Sequence, residues 1–354
     1  MKALVKYAFR DGAVEVREIA EPSAGPGKVL VATRAVGVCG SDVHAWRDTQ
    51  SWEMDLPVAL GHEIAGVIDS VGNGVTDWSV GDRVVCETAA QICGKCAYCR
   101  SGRYNLCPYR LGFGAKTDGA FSGYLVAEPR VLHRIPDSVS FEQAAMTEPY
   151  CVAFNALVQR ATVKAGDIVV IQGVGAIGSL SVQVAKLQGA STVVVVGTSV
   201  DRSRLAKALT FGADHAVELG VDDPVTLVRS LGDGLGADVV VDATGISSAL
   251  AQSLEFVRPL GSIAKVGWGP QPLGFSLDPL VAKAVTIYGC FSHTWDTWER
   301  ILALFASGRL KPETVLDGIY SLENWKQGFE AMETGTNIKS VVTFGTAGQE
   351  TSGD

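Results

Sequence analysis

The stretch "DIVVIQGVGAIGSLSVQVAK", residues 167–186, carries the pattern that decides the fold. A run of Val and Ile predicts a buried strand, a Gly-x-Gly-x-x-Gly turn follows it, and a helical pattern comes next. In such a turn the first glycine permits the tight bend, the second lets a pyrophosphate approach the backbone, and the third packs helix on strand. The helix N-terminus offers N–H donors to the phosphates. The predicted dinucleotide contacts are Gly173, Gly175, Ala176, Ile177 and Gly178.

The rest of the chain divides around this motif. Short apolar runs at 193–196, 239–241 and 263–266 alternate with helical patterns, which is typical of a doubly wound parallel sheet. We predict an α/β protein in which a β-rich domain (1–155) is followed by an inserted Rossmann domain (156–288). Residues 289–354 are predicted to return to the first domain and to end in a tail, "GTAGQETSGD".

Composition excludes several classes of function. A chain of 354 residues with 47% hydrophobic and 19% charged residues is typical of a globular protein. Its net charge of −8 argues against nucleic acid and against an anionic membrane as partners. The sequence has no secretory signal pattern and no apolar window of bilayer length, so we expect a cytoplasmic location, where disulfides rarely persist.

Four cysteines crowd the stretch "CGKCAYCRSGRYNLC", residues 93–107. Their spacing, Cys-x2-Cys-x2-Cys-x7-Cys, brings four thiolates within reach of one ion. Zinc prefers tetrahedral sulfur ligands, and four protein ligands leave no open position, so the site is predicted to be structural. An iron–sulfur cluster is the alternative. The predicted ligands are Cys93, Cys96, Cys99 and Cys107.

A second group of ligand types occurs in "VGVCGSDVHAW" (36–46) and "LGHEIAG" (60–66). A thiol and an imidazole are the ligand mixture that catalytic zinc uses with one position left open. Each motif alone is a weak signal, because a histidine next to a glutamate is usually an ordinary surface or core residue. Together with a separate four-cysteine loop, they predict a catalytic zinc at Cys39 and His62.

These motifs together resemble those of the zinc-dependent medium-chain dehydrogenases, in the branch of sorbitol, xylitol and threonine dehydrogenases. The resemblance spans about residues 2–344. It rests on "CGSDVH", "GHE", the four-cysteine loop, "EPYCVAFNAL", "GVGAIG" and "GFEAMETG", in the family's order. It implies a GroES-like β-rich domain, one catalytic and one structural zinc per chain, and an NAD(P) cofactor. The implied reaction is oxidation of a secondary alcohol, a polyol or sugar-derived alcohol, to a ketone.

Two other functions remain open. A threonine- or 2,3-butanediol-type dehydrogenase would use the same machinery. A non-catalytic relative that keeps only the nucleotide site would lack a zinc ligand or a proton-relay residue, and no such residue is missing from this sequence.

The resemblance implies specific roles at the catalytic zinc. Cys39 and His62 would be ligands, and Glu63 would stand beside the metal, able to enter and leave its coordination shell. Glu148 matches the third ligand position of this branch. Cys151, one helical turn further on, is a rival ligand by its chemistry and ranks below Glu148.

Further roles follow from the same resemblance. Asp42 would accept a hydrogen bond from His62, while Ser41 and His44 would relay the substrate proton to solvent. The stretch "AVTIYG" (284–289) matches a strand that pairs across a two-fold axis in this family. We therefore expect a homo-oligomer, a tetramer rather than a dimer.

Two features depart from the family pattern. An NAD-binding protein places an acid near the end of the second Rossmann strand, and this chain has Gly197 there. The residues that follow suit a 2′-phosphate and favour NADP slightly, although Asp201 would favour NAD if the loop folds back. They are Thr198, Ser199, Arg202 and Arg204. In addition, "GCFSHTW" has Ser292 and His293 where sorbitol dehydrogenases carry an arginine, which argues against sorbitol itself.

Overall fold

The computed structural model describes residues 1–345, so the predicted tail lies outside the described residues except for Gly345. The strands are β1 (Lys2–Lys6), β2 (Val14–Glu18), β3 (Val29–Gly37), β4 (Val58–Ala59), β5 (Glu63–Val71), β6 (Arg83–Cys86), β7 (Tyr124–Ala127), β8 (Leu132–Arg134), β9 (Ile168–Gln172), β10 (Thr192–Gly197), β11 (His215–Glu218), β12 (Ala237–Asp242), β13 (Val257–Lys265), β14 (Thr286–Gly289), β15 (Leu316–Ser321) and β16 (Lys339–Thr343). The helices are α1 (Gly40–Arg47), α2 (Ala97–Arg100), α3 (Phe141–Ala145), α4 (Thr147–Phe154), α5 (Ala176–Leu187), α6 (Arg202–Thr210), α7 (Pro224–Ser230), α8 (Ser247–Phe256), α9 (Asp278–Ala282), α10 (Trp295–Ala306) and α11 (Trp325–Glu333).

A six-stranded parallel sheet forms the centre of the nucleotide-binding half. Its order is β11-β10-β9-β12-β13-β14, so the strand before the glycine motif lies inside the sheet. Val169, Val170 and Ile171 are fully buried, as expected for a strand covered on both faces. Helices connect successive strands, and the predicted doubly wound α/β fold is confirmed.

A seven-stranded sheet dominates the other half. Its order is β15-β16-β3-β5-β6-β8, with β7 paired to β3. β15 and β16 come from the end of the chain, so the C-terminal segment does join the sheet built by residues 29–134. In the register of this sheet, Val341 lies opposite Gly37 and Gly37 lies opposite Glu63. The C-terminal segment therefore reaches the strand that begins directly after His62.

Helix α4 is held in the apolar core that joins the two halves. Tyr150 and Cys151 of α4 share one buried cluster with Leu180 of α5 and Trp298 of α10. Because α4 is packed on several sides, its first turn, which carries Glu148, has a fixed position. No helix within residues 1–345 has the length and hydropathy that crossing a bilayer requires.

Candidate active site and metal centres

The start of α1 and the start of β5 bring three of the predicted zinc ligands together. Cys39 is the residue before α1, and His62 precedes Glu63, the first residue of β5. The Cys39 sulfur, a His62 ring nitrogen and a Glu63 carboxylate oxygen all lie within 4.8 Å of one another. A Cβ at Gly37 would lie 1.9 Å from Oε2 of Glu63, so the carboxylate fills the space that a side chain would need.

The surroundings of His62 favour a cation. Burial alone would lower the pKa of His62, but the Asp42 carboxylate, the Cys39 thiol and the Glu148 carboxylate raise it to about 10. Nδ1 of His62 lies 3.8 Å from Oδ1 of Asp42, and Asp42 is itself buried. A field that holds a proton so firmly also attracts a metal ion, and the soft and imidazole donors fit zinc.

Glu63 forms a buried ion pair with a residue from the other end of the chain. Nζ of Lys339 donates to Oε1 of Glu63 at 2.5 Å and to the Val38 carbonyl at 2.8 Å. Oε2 of Glu63 also lies 2.5 Å from Nζ of Lys339, although the angles of that contact are not those of a hydrogen bond. Burial raises the pKa of Glu63, and Lys339 opposes that rise. Both oxygens of Glu63 therefore face the Lys339 ammonium, which neutralises the carboxylate.

Glu148 lies close enough to influence His62, but it is not part of the three-residue cluster. Nε2 of His293 lies 2.9 Å from Oε1 of Glu148. Burial would raise the pKa of Glu148, but the hydrogen bond from His293 and the charges of His62 and Lys339 lower it. Glu148 is therefore an ionised carboxylate at the site, held by His293.

The tautomer of His293 follows from a second contact. Nε1 of Trp298 donates to Nδ1 of His293 at 2.7 Å. An indole N–H can only donate, so Nδ1 must be the acceptor and the ring proton must be on Nε2. His293 therefore donates to Glu148, and both His293 and Trp298 are buried.

The other predicted residues around the catalytic cluster lie as follows. Ser41 is half-buried on α1. Asp42, on the same helix, accepts a hydrogen bond of 2.9 Å from the Cys39 backbone N–H. His44 lies on the same helix, with Nδ1 2.9 Å from the Thr49 hydroxyl. Cys151 is fully buried in the apolar core, and burial raises the pKa of its thiol well above the ordinary value. That environment makes Cys151 a poor metal ligand.

The four cysteines of residues 93–107 also converge. Their sulfur atoms all lie within 4.8 Å of one another, with 3.5 Å between Cys96 and Cys99 and 4.0 Å between Cys93 and Cys99. A tetrahedron with metal–sulfur bonds of about 2.3 Å has edges of about 3.8 Å, so the arrangement fits one zinc ion. Backbone N–H groups of Lys95 and Cys96 lower the pKa of Cys93, which favours the thiolate that binds metal, whereas burial raises the pKa of its neighbour Cys99.

The glycine motif has the geometry that its spacing predicts. Gly173 has φ of 87°, a conformation that favours glycine. A Cβ at Gly178 would lie 1.8 Å from the Gly173 carbonyl oxygen, whereas a Cβ at Gly175 would have no neighbour within 4 Å. Gly178 thus serves the packing of α5 on β9. The open space at Gly175 lies at the N-terminus of α5, where phosphates bind.

The loop after β10 gives both predicted arginines other partners. Arg202 is exposed and pairs with Glu218 through two contacts of 2.7 Å. Arg204 is largely buried and donates to the carbonyls of Met332 and Asn337 at 2.8 and 2.6 Å. Asp201 does fold back: its carboxylate accepts from the Thr198 N–H and hydroxyl and lies against Gly197. Ser199 begins the short 3-10 turn of this loop.

Sequence reasoning missed two residues of the catalytic region. Lys339 stands in an apolar run, "IKSVVTF", where a buried lysine is itself an unusual feature that needs a buried acid. Trp298 is part of a helix whose apolar stripe explains it fully, so no signal marked its bond to His293.

The comparisons with known proteins agree with this geometry. The sequence profile of the alcohol dehydrogenase GroES-like domain matches residues 25–137, and that of the zinc-binding dehydrogenase domain matches residues 176–307. The chain is 39% identical to a sorbitol dehydrogenase of Halalkalibacterium halodurans, over 97% of this chain and 99% of the relative. It is 33% identical to a D-arabitol-phosphate dehydrogenase of Enterococcus avium, over 97% of each. An L-threonine 3-dehydrogenase of Pyrococcus abyssi is 35% identical, over 96% of this chain and 98% of the relative.

Solved structures extend the comparison to the cofactor. A zinc-binding dehydrogenase from Sinorhizobium meliloti 1021, bound to NADP, matches with a TM-score of 0.86 and 26% identity over 97% of this chain and 99% of that one. An alcohol dehydrogenase from E. coli CFT073, in complex with NADH, matches with a TM-score of 0.88 and 26% identity over the same shares. The chain therefore belongs to the zinc-dependent medium-chain dehydrogenases, in the sorbitol and threonine dehydrogenase branch, and is a zinc- and nicotinamide-dependent alcohol dehydrogenase.

Proposed function

We propose that the enzyme oxidises a secondary hydroxyl of a polyol or sugar-derived alcohol at the cluster of Cys39, His62, Glu63 and Glu148. The observation that carries this proposal is the convergence of a thiol, an imidazole and the Glu63 carboxylate, with a second buried carboxylate, Glu148, close enough to act on His62. One carboxylate is neutralised by a lysine, and the other is fixed by a histidine.

The roles of the ligands differ because their partners differ. Cys39 and His62 would hold the catalytic zinc, with Glu148 as the third ligand. Glu63 would stay outside the coordination shell while Lys339 holds its carboxylate. A bound zinc supplies a Lewis acid that acidifies a hydroxyl, and the nicotinamide supplies the hydride acceptor. The protein residues hold the metal, neutralise Glu63 and carry the substrate proton.

The proton path would start on α1. Ser41 is half-buried near the cluster, and the His44 side chain is exposed, so a proton passed from the substrate hydroxyl through Ser41 can reach solvent at His44. The hydrogen bond between Nδ1 of His44 and Thr49 leaves Nε2 free for this transfer.

The remaining finer assignments are part of the same proposal. The four-cysteine loop would hold a second, structural zinc, since the sulfur spacing suits a closed tetrahedral site. The chain would form a tetramer, with β14 pairing across a two-fold axis, because β14 is an edge strand of the six-stranded sheet. All eight cysteines are free thiols, which suits a reducing cytoplasm.

The cofactor would be NAD or NADP, with a slight preference for NADP. Position 197 carries no acid, and Ser199 offers a small hydroxyl to a ribose or its phosphate. Asp201 folds back against Gly197 and would favour NAD, but its carboxylate is already bonded to Thr198, so the preference for NADP is slight. Arg204 is committed to two carbonyls, so Arg202 is the arginine that can turn to a 2′-phosphate, in competition with Glu218.

The experiment that tests the proposal separates the two halves of the site. In Cys39→Ser and His62→Ala, turnover of polyols, 2,3-butanediol and threonine should be abolished, while NAD(H) and NADP(H) should still bind in a fluorescence titration. The wild type should oxidise at least one polyol, followed at 340 nm. If the variants lose dinucleotide binding in step with activity, the assignment of separate sites is wrong. If only threonine is turned over, the alternative function is correct.

A further inference from the structure

An arginine in the catalytic half has no anionic partner, and the proposed function makes no use of it. The Nε of Arg110 is buried without a hydrogen-bond partner. Nη2 donates to the Thr88 hydroxyl at 2.8 Å, and this is the only side-chain hydrogen bond of the guanidinium within residues 1–345. Among the described residues, Glu148 and Glu87 are the carboxylates that act on Arg110, and they act through charge and not through a hydrogen bond. Arg110 as a whole is half-buried, and a guanidinium that is partly removed from water is costly unless an anion completes it.

The two carboxylates whose charges act on Arg110 already have other hydrogen-bond partners. Burial lowers the pKa of Arg110, and Glu148 and Glu87 are the acids that oppose that shift. Glu148 is bonded to His293, and Glu87 accepts from the Tyr104 hydroxyl at 2.8 Å and lies 3.2 Å from Nε2 of His133. Neither forms a hydrogen bond with Arg110, so its positive charge remains uncompensated by direct contact.

Arg110 also lies beside a set of aromatic rings that links it to the proposed proton path. Its guanidinium is 5.6 Å from the centre of the Phe291 ring, Phe291 is 6.0 Å from Trp268, and Trp268 is 6.0 Å from Trp52. Trp52 in turn is 6.5 Å from His44. Trp268 and Phe291 are 55% and 38% exposed, so both rings present apolar surface to solvent.

The position of these rings identifies the surface as a ligand cleft. Trp268 and Phe291 follow β13 and β14, and ligands of doubly wound sheets bind beyond the carboxyl ends of the strands. Trp52 and His44 face them from the catalytic half.

We propose that this cleft selects a hydroxyl substrate that also carries an anionic oxygen group, a phosphate or a carboxylate, and that Arg110 binds that group. This inference rests on the proposed function and names the substrate class of the same site. The similarity to a D-arabitol-phosphate dehydrogenase agrees with this class of substrate.

The test compares matched substrates that differ only in the anionic group. Rates would be measured for D-arabitol and D-arabitol phosphate, galactitol and galactitol 1-phosphate, and sorbitol and gluconate. The wild type should prefer at least one anionic member of these pairs by about 10- to 100-fold in kcat/KM, the range of a charge-assisted hydrogen bond. The phosphate and carboxylate pairs reveal which anion the cleft takes.

Variants then assign the preference to Arg110. In Arg110→Gln the ratio of anionic to neutral kcat/KM should fall by about 10- to 100-fold, and Arg110→Lys should retain part of it. Thermal unfolding and dinucleotide titration establish that each variant is folded. A wild type that prefers the neutral member of every pair, or a ratio unchanged in Arg110→Gln, would overturn the inference while leaving the alcohol dehydrogenase assignment intact. Absence of turnover with every substrate, despite bound zinc and dinucleotide, would instead contradict the proposed function.

Discussion

Replacement of His293 by leucine should weaken zinc binding at the catalytic site without removing any proposed ligand. In the folded enzyme the Nε2–H of His293 donates to Oε1 of Glu148 at 2.9 Å, and Trp298 fixes the tautomer that makes this possible. His293 is 2% exposed and Glu148 is 7% exposed, so water cannot replace the lost donor. The carboxylate would then be free to turn away from the position in which it binds metal.

The magnitude follows from the type of contact. A buried hydrogen bond to an ionised group contributes about 1.5–3 kcal/mol. At about 1.4 kcal/mol per factor of ten, the loss corresponds to about 10- to 150-fold in affinity. Loss of the hydrogen-bond partner of a metal ligand typically costs about 10- to 100-fold, so the two estimates agree. We expect the zinc affinity of His293→Leu to fall within this range.

The assay measures zinc release to a chromogenic chelator, with Cys39→Ser as the reference that lacks the catalytic ion. Two matched variants sharpen it. His293→Gln keeps an N–H donor near the position of Nε2 and should recover part of the affinity. Trp298→Phe removes only the contact that selects the tautomer and should cost a few-fold. If His293→Leu, His293→Gln and the wild type release zinc identically, then His293 does not position Glu148, and Glu148 is not a ligand that depends on it.

Three further outcomes are expected. Glu218→Gln should release Arg202 for a 2′-phosphate and raise the NADP-to-NAD ratio of kcat/KM by roughly three- to tenfold. Arg202→Ala should lower that ratio. A wild type that favours NAD by more than about tenfold would show that this loop does not recognise the phosphate. Elemental analysis should find two zinc ions per chain and one in a folded Cys96→Ser variant, and a value near one in both proteins would contradict the structural site. Glu128 has a lowered pKa, since the contacts from Lys28 and Arg130 outweigh burial, so its contribution to stability is present above about pH 4.3 and is lost as the pH falls. Glu128→Gln should therefore reduce the decrease of Tm between pH 5 and pH 3, and an unchanged slope would contradict this.

The parts of the site that sequence reasoning could predict depend on residues that are close together in the sequence. The glycine motif determines its own geometry within six residues. Its three glycines permit a tight turn, the approach of a pyrophosphate to the backbone, and the packing of the helix on the strand. The four cysteines likewise lie within one loop, so their spacing alone indicates convergence on one ion. In both cases the constraint is local, and it can be read before the fold is known.

The parts that could not be predicted depend on distant pairings. Lys339 reaches Glu63 across 276 residues, and that contact exists only because β16 pairs with β3 in one particular register. His293 reaches Glu148 across 145 residues. The loop after β10 shows the same limit: Gly197 could be recognised as a missing acid, but the partner of Arg202 is set by the pairing of β10 with β11, which places Glu218 opposite Gly197.

These distant contacts also explain how one site can hold several acids and still leave a position for substrate. Glu63 and Glu148 are both buried near His62, and two free carboxylates there would both compete for a divalent ion. Lys339 neutralises Glu63, whereas His293 is neutral and only orients Glu148, so Glu148 keeps its full negative charge. In the proposed ligand set, the Cys39 thiolate and the Glu148 carboxylate would then suffice to balance a zinc ion, with His62 as a neutral third donor. The asymmetry between a charged and a neutral partner would therefore decide which acid binds the metal, and the C-terminal return of the chain supplies the charged one.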